Sequence, residues 1–463
     1  MNSTLAPRPP MMPGTETATV RPTRVRWQIL ALLALIMAVT ALGRLNLSIA
    51  GKYIQDEFKF STEAMGWILG AFAFGYALCQ VPCGWAGDRF GPRGTLTAAM
   101  LWWASLTVLM SFVPAIHFRT WWHLALAFGI VRLLTGAGEA ASYPNANKVV
   151  AFWTRAGERG LGSSFLLGGV GAGGILAPLV LSRVAQGWGW RSSFVLCGAV
   201  AAVIAFCWYV FATDRPEQHP RINSAELALI TASANARTRI GRGRTPWRRF
   251  FSSGSAWALL LSYFCHGYTP YIYYTWFFIY LVRVRGLTVT KGGIWGTTPF
   301  IAITLMSPLG GWFSDRAASR YGRRRGRQIA AMLGMTSSAL LLWAGSHATS
   351  TSLAVSLLAL AAGFSAFAAA SWWATCIDMT PNYSGSLSGL MNTCANIAGG
   401  IAPILTAYIA TRFGWSRALD VGAIISFTAG VLWMFVNAEA SLEPAAQSAS
   451  VATAQMSGGQ QRP

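Results

Sequence analysis

Gly84-Trp85-Ala86-Gly87-Asp88-Arg89-Phe90-Gly91-Pro92-Arg93 closes one long apolar run and precedes another. A variant of it returns in the second half of the chain as Gly311-Trp312-Phe313-Ser314-Asp315-Arg316, leading into Arg320-Tyr321-Gly322-Arg323. Other features repeat at matching places. Gly168-Gly169 and Gly173-Gly174 stand before Pro178, as Gly399-Gly400 stand before Pro403. A six-plus-six repeat with equivalent loops is the sequence sign of a transporter whose halves rock about a site near the bilayer midplane.

The composition supports that reading. Of 463 residues, 54% are hydrophobic and only 11% charged, a charged share well below that of soluble domains. Repeated apolar stretches of 18 or more residues argue for a polytopic helical membrane protein. The runs are continuously apolar rather than alternating, which excludes a closed β-barrel. The net charge of +21 is distributed as a topology signal, not as a nucleic-acid footprint. About two thirds of the Lys and Arg residues fall on the side that holds both termini, which predicts both termini to be cytoplasmic. The cysteines at 79, 83, 197, 207, 265, 376 and 394 fall in apolar runs. Cys79 and Cys83 share a helix face, but no His or carboxylate completes a metal site there.

The pattern predicts an all-α membrane protein of 12 transmembrane helices in two six-helix bundles. The first six spans are expected near 27–50, 63–85, 94–114, 122–143, 161–182 and 193–213. The second six are expected near 256–282, 293–313, 328–347, 352–377, 384–410 and 418–437. The domain reading is a disordered cytoplasmic segment over 1–26, a first bundle over 27–213, a cytoplasmic linker over 214–255, a second bundle over 256–437 and a disordered tail over 438–463. The linker Asp214–Ser255 carries eight arginines against three acids. The first apolar run is too long for a signal peptide and carries an arginine, so it is read as a span.

Three charged residues fall inside the apolar runs: Arg44, Arg132 and Glu139. A charge at membrane depth costs roughly 2.5–3.5 kcal/mol on insertion scales and is kept for a task. Of the fifteen Asp and Glu residues, only Glu139 lies well inside such a run. Arg132 and Glu139 are seven residues apart, so they share a helix face with roughly 10 Å of rise between them. A tight pair therefore needs a third group, either Arg44 or the substrate; the alternative is a structural ion-pair network joining spans 1 and 4. A lone buried carboxylate is also the natural proton carrier. Arg44 suits a substrate carboxylate, because a guanidinium binds it through two parallel hydrogen bonds; its alternative is a capping or snorkelling arginine. His266 is either a proton relay or a packed core histidine.

The loop after span 2 resembles the signature of the major facilitator superfamily. Finer features are similar to its anion:cation symporter branch, which includes bacterial permeases for galactonate, glucarate and hexuronates. These features are Arg44-Leu45-Asn46-Leu47-Ser48-Ile49-Ala50, Gln80-Val81-Pro82-Cys83-Gly84-Trp85, Arg132 with Gly136-Ala137-Gly138-Glu139-Ala140 and Pro144, Lys148-Val149-Val150-Ala151-Phe152-Trp153, Pro216-Glu217-Gln218-His219-Pro220 with Glu226, and Thr275-Trp276-Phe277. The resemblance implies proton symport of an organic, sugar-acid-like carboxylate across a bacterial inner membrane by a monomer. The proton gradient would be the energy source, with no cofactor, metal or nucleic acid and no enzymatic activity. A proton-independent exchanger or facilitator is the alternative. The resemblance assigns substrate contacts to Arg44, Tyr76, Trp373 and Asn392; Asn396, one turn after Asn392, offers a further amide to the substrate, with interhelical hydrogen bonding as the alternative. Proton coupling is expected at Glu139, with Arg132 as its switch partner, from the buried charges themselves. Asp88, Arg89, Gly91, Arg93, Asp315 and Arg316 are expected to latch the gate, each Asp accepting from an arginine and from backbone N–H groups at a helix N-terminus. Three positions depart from the branch: Gly43 replaces an Asp, Ala41 an aromatic, and Gly169 is aligned with a polar Gln. The last is expected to remove a hydroxyl partner of the substrate.

Overall fold

The computed structural model describes residues 21–116, 118–155, 158–231, 246–380 and 383–442. Among them there is no strand; helices stand as two sets of six rods. The first set is α1 (Val25–Phe58), α2 (Thr62–Phe90), α3 (Pro92–Phe112), a broken rod of α4 (Trp121–Glu139) and α5 (Ser142–Trp153), α6 (Arg159–Trp188) and α7 (Trp190–Phe211). Short helices α8 (Ser224–Thr231) and α9 (Trp247–Ser252) belong to the connector. The second set begins with α10 (Gly254–Thr275), continued by α11 (Phe277–Ile279) and a π-helical turn over Tyr280–Val284. It goes on through α12 (Val289–Trp295) with α13 (Thr298–Tyr321), α14 (Arg323–His347), α15 (Thr351–Met379), α16 (Ser384–Phe413) and α17 (Trp415–Leu432).

Ten of these rods are individually long and apolar enough to cross a membrane. The seventh and eighth are not among them, and the seventh falls short for a reason that bears on function. α10 is interrupted at Trp276 and carries Tyr263, His266, Thr269, Tyr273 and Tyr274, which turn out to line a central cavity. Polar residues in a membrane helix face the protein interior, so the dilution of hydropathy is itself a marker of the site. Outward-facing positions such as Trp67, Phe206, Leu340 and Ile424 are exposed and apolar, as a lipid-facing surface requires.

The repeat is visible in the backbone. Gly91, Gly189, Gly322 and Gly414 sit at the turns after rods 2, 5, 8 and 11, all with φ between +82° and +88°. Only glycine adopts that conformation without strain, so each pair of equivalent loops uses the same helix stop. Close approach of rods rests on glycine as well. A Cβ on Gly136 would strike the Phe72 carbonyl and one on Gly75 the Leu133 carbonyl, which fixes α2 against α4.

The fourth rod breaks immediately after Glu139. Pro144, the third residue of α5, lacks the N–H that would bond to the Ala140 carbonyl. The helix resumes to Trp153, ten residues beyond the expected span end, so Lys148 to Trp153 are helical.

Parts of the segments expected to be disordered are ordered here, while residues 1–20 and 443–463 lie outside the described residues. Arg21 and Thr23 bond to Asn223, and Leu442 N–H donates to the Met379 carbonyl at 3.1 Å with its side chain buried. Both anchors come from polar or apolar partners on other elements, which local composition does not reveal.

The connector is less polar in structure than in sequence. Glu226 is fully buried and accepts from Val25 N–H, Arg26 N–H, Thr23 Oγ1 and the Arg26 guanidinium, capping the first turn of α1. Arg26 also reaches Glu158 at 3.2 Å.

Candidate functional site

Between the two sets lies a cavity of about 290 Å³, reaching from mid-depth toward the connector side. Met37, Thr40, Ala41 and Arg44 face it from α1, spaced three to four residues apart as one helical stripe. Tyr76, Tyr143, Leu167 and Val170 complete the first set's wall. α10 contributes Tyr263, His266, Thr269, Pro270, Tyr273 and Tyr274 with the same three-to-four spacing. Ser365 and Trp373 on α15, and Asn392 and Asn396 on α16, close the other side.

Among the described residues, Arg44 is the only Arg, Lys, Asp or Glu in that lining. Its Nε bonds to a carboxylate oxygen of Glu139. The arginine side chain keeps 21% exposure, whereas the Glu139 side chain keeps 3%. One partner therefore touches the cavity and the other is sealed behind it. Aromatic faces support the guanidinium: its carbon lies 4.9 Å from the Tyr76 ring centroid and 5.5 Å from that of Phe72. Arg132 stands 4.7 Å from the same Phe72 ring, buried, with its Nε lacking any hydrogen-bond partner. Two guanidiniums thus share the Phe72 ring, and Glu139 pairs with Arg44 rather than with Arg132 seven residues before it on its own helix. A cation over an aromatic face gains about 0.5–2 kcal/mol, which supplements a counter-ion and does not replace one.

The other residues singled out from sequence fall into three groups. Tyr76, Trp373 and Asn392 line the cavity, and the Asn392 side-chain amide has no hydrogen-bond partner among the described residues. Asn396 also lines it, but its Oδ1 accepts from Tyr271 Oη at 2.8 Å and its Nδ2 donates to the Asn392 carbonyl. It thereby ties α16 to α10. Trp372 points away, fully buried against His266 and Trp433.

The loop residues lie at the connector-side ends, away from the cavity. Asp88 pairs with Lys148 at 2.5 Å, not with an arginine. Arg89 is exposed beside Phe90. The guanidinium of Arg93 donates to the Tyr209 carbonyl, and its N–H donates to Asp214, whose carboxylate sits where a Cβ on Gly91 would be. Asp315 pairs with Arg327, which Asp378 shares, while Arg316 is exposed. The backbone N–H groups at the N-termini of α3 and α14 are met by Asp214 and Glu439, so neither Asp88 nor Asp315 caps those helices. Those two acids project from the helix preceding the glycine turn, whereas Asp214 and Glu439 come from chain lying beside the following helix.

The three departures sort differently in space. Ala41 faces the cavity. Gly43 has open space where a Cβ would stand. Gly169 does not face the cavity: a Cβ there would strike the Ala34 carbonyl of α1, so the glycine serves helix packing and the lining residue is Val170. The expected loss of a hydroxyl partner at 169 is accordingly withdrawn. Tyr143, Tyr263, Tyr274 and Ser365 were not identified from sequence. The signal for three of the α10 and α5 tyrosines was present as the stripe 263, 266, 270, 274 and as Tyr143 beside Pro144, but aromatic residues at helical spacing also describe ordinary core.

Hydrogen bonds between the two sets occur toward the side opposite the connector. Ser48 Oγ donates to the Thr275 carbonyl, Arg283 to Asp56 and the Lys52 carbonyl, and Thr290 to Gln186. Small residues close the same region: a Cβ on Gly66 or Gly70 of α2 would strike backbone of α16. We call this the sealed side.

The family model described as Major Facilitator Superfamily matches residues 33–403 and 293–456. Among curated proteins, the chain is 29% identical to a probable sulfoacetate transporter, SauU, of Cupriavidus necator, over 84% of this chain and 89% of that protein. It is 28% identical to the probable galactarate/D-glucarate transporter GudP of Bacillus subtilis, over 93% of each. Human vesicular glutamate transporter 2 is 27% identical over 85% of this chain and 68% of its own length. A solved bacterial homolog of the human lysosomal transporter Spinster, inward-facing and unoccupied, superposes with a TM-score of 0.71 at 18% identity, covering 89% of this chain and 96% of that one. The inward open xylose transporter XylE from E. coli gives 0.67 at 14% identity. At these identities the structural likeness concerns the fold alone.

Proposed function

The chain belongs to the Major Facilitator Superfamily and is a secondary transporter whose relatives carry anions, and from that premise we propose that it imports a small organic carboxylate together with a proton. One observation carries the reading. Arg44 faces the cavity while Glu139, its only carboxylate partner among the described residues, is sealed behind it. A substrate carboxylate reaching Arg44 from the cavity competes with Glu139 for the same guanidinium. Stripped of its counter-ion, a buried carboxylate is strongly unfavourable. A proton on Glu139 removes that charge, so substrate and proton bind as partners and the halves rock with the net charge of the site unchanged. In this cycle Arg44, Tyr76, Trp373 and Asn392 hold the substrate, and Glu139 carries the proton.

The names of the relatives support a small organic anion, sugar acids among them. The orientation we propose places the connector side in the cytoplasm of a bacterial inner membrane. Exposed arginines such as Arg89, Arg316, Arg324 and Arg325 gather there, as the positive-inside bias requires. The sealed side is then external and the cavity is inward-open. The protein acts as a monomer, since each chain holds a complete cavity between its own halves.

Arg132 favours a second reading. It is a buried guanidinium without a carboxylate partner, on the same helix face as Glu139. Glu139 swinging to Arg132 when substrate arrives would leave no need for a proton, giving an exchanger. Proteoliposomes separate the two: symport predicts accumulation of a labelled organic acid above its outside concentration when the lumen is made alkaline. Counterflow without any accumulation under the pH gradient establishes exchange and ends the symport reading.

A further inference from the structure

A substrate biases the rocking of two halves only if it interacts differently with the two arrangements, which requires contacts on both. Arg44 supplies the contact on the first half. Several cavity-facing polar groups of the second half are already engaged internally, while Asn392, its amide free among the described residues, serves the carboxylate site beside Arg44. Thr269 bonds to Ser426, Tyr273 donates to the Leu358 carbonyl, and Asn396 is held by Tyr271. His266 is different. Its ring is stacked on fully buried Trp372, with centroids 4.8 Å apart and planes 28° apart, and Tyr263 packs at 5.2 Å. Nδ1 lies 3.3 Å from Ser365 Oγ, and Ser365 is itself part of the lining. The ring plane and one nitrogen are thus fixed. Nε2 has no hydrogen-bond partner among the described residues and is not one of the sealed unsatisfied atoms, so it remains accessible from the cavity that His266 lines.

An apolar ring would stack on Trp372 equally well. An imidazole also presents a polar nitrogen to the cavity, which a substrate filling that space must meet with a polar group or leave unpaired at a cost. We infer that His266, oriented by Ser365 and Trp372, is the second half's subsite for a polar group at the opposite end of the substrate. The substrate class is then a bifunctional organic acid, with a carboxylate on Arg44 and a hydroxyl, oxo or second acid group on Nε2. When Ser365 donates to Nδ1, Nε2 carries the hydrogen and donates to any of these groups. When Nδ1 donates instead, Nε2 accepts, which suits a hydroxyl. A hydroxyl therefore satisfies either tautomer. This inference rests on Arg44 being the carboxylate site.

The test uses the purified full-length protein and pairs of acids that differ only at the distal end: butanoate with 4-hydroxybutanoate, hexanoate with 6-hydroxyhexanoate, and benzoate with 4-hydroxybenzoate. Affinities are read by calorimetric titration. In the wild type the hydroxylated member of at least one pair binds about tenfold more tightly, the worth of one well-placed buried hydrogen bond. In His266→Leu the ratio falls to near one, and in His266→Gln, which restores a donor and an acceptor, it recovers at least half of its logarithm. Ser365→Ala lowers the ratio partway by freeing the ring. A ratio kept in His266→Leu, or no hydroxyl preference in the wild type, overturns the inference. Arg44→Lys provides the separate control. Loss of binding of both members of a pair in that variant, with the ratio unmoved by His266→Leu, defeats this subsite alone. Undiminished binding in Arg44→Lys defeats the carboxylate site beneath it as well.

Discussion

At the residue scale the site turns on an arginine that is shared between the cavity and a sealed carboxylate. Lysine at 44 keeps the charge but loses the fork that binds one carboxylate at two points. Losing one charge-assisted hydrogen bond costs about 1.5–3 kcal/mol, or roughly tenfold to a hundredfold in affinity. Arg44→Lys should therefore raise the apparent KM of the transported acid by that range, and an unaltered KM would remove Arg44 from the binding role. Glu139→Gln probes the partner. The amide mimics the protonated acid, so the variant should still exchange substrate across the bilayer while failing to accumulate it under an imposed pH gradient. Accumulation equal to the wild type would show that the coupling proton rides elsewhere. Gly43 offers the reverse experiment. It has open space at its Cβ position and no positive φ, so the Cβ of an aspartate next to Arg44 in the chain meets no neighbour. Gly43→Asp should leave the protein folded and steepen the dependence of uptake on the pH gradient, as a second carboxylate competes for the same guanidinium; an unchanged slope would mean that a carboxylate there takes no part.

At the element scale, α1 is fixed at its connector-side end by a residue of the connector. Glu226 meets two N–H groups of the first turn of α1 and the Arg26 guanidinium, all out of contact with water. Breaking a buried ion pair from one side costs about 3–5 kcal/mol, and Arg26 retains Glu158, so the lower end applies. Glu226→Ala should lower the melting temperature clearly while transport by the surviving folded protein continues; an unmoved melting temperature would mean that the contact contributes nothing. Nearby, His219 accepts from Arg221 N–H at Nδ1 and lies 3.1 Å from the Phe211 carbonyl through Nε2, an arrangement that needs the neutral ring. Burial pushes its pKa below 6.5. Because the folded value is depressed, this contribution is complete above about pH 6.5 and is lost as pH falls through the folded value. Amide protection over residues 216–226, taken as the intrinsic exchange rate at each pH divided by the observed rate, should be high at pH 7.5 and lower near pH 5. Glu226 shows why such an anchor is hard to read from sequence: it belongs to an arginine-rich stretch whose composition describes a solvated linker, and its partners lie about two hundred residues away. Spans, by contrast, were legible because apolar length is a local property. The stripe on α1 was half legible, since Arg44 stands out against Met37 and Ala41, whereas Tyr263 and Tyr274 do not stand out in an aromatic helix. Gly169 was misjudged because alignment with a relative gives a residue type but not the direction in which a helix face is turned.

For the whole molecule the question is what keeps one side sealed, and magnitudes decide it. The ion pair Arg283–Asp56 joins the halves at 2.6 Å, but its side chains are 39% and 53% exposed. Exposed pairs contribute about 0–1 kcal/mol, enough to alter the balance of two states by less than about fivefold. The contact of α2 with α16 is of another kind. Gly66 and Gly70 bring the two backbones so close that a Cβ on either would strike main-chain oxygen, and Ile404 lies 3.2 Å from the Cβ position of Gly70. Packed surfaces of this type have two arrangements, not a continuum, because interiors are close-packed. The sequence displayed these glycines, and its two sixfold halves implied a rocking motion, but it could not say which glycines face the partner half. Gly70→Val should wedge the seal apart, whereas Asp56→Ala should barely change it. An Ala41→Cys reporter in the cavity wall, with accessible native cysteines replaced, reads the difference through a membrane-impermeant thiol reagent applied from the sealed side. Labelling should be slow in the background protein, at most about fivefold faster with Asp56→Ala, and at least tenfold faster with Gly70→Val. The opposite order would assign the seal to the ion pair, and the glycine contact would then be a consequence of closure rather than its cause.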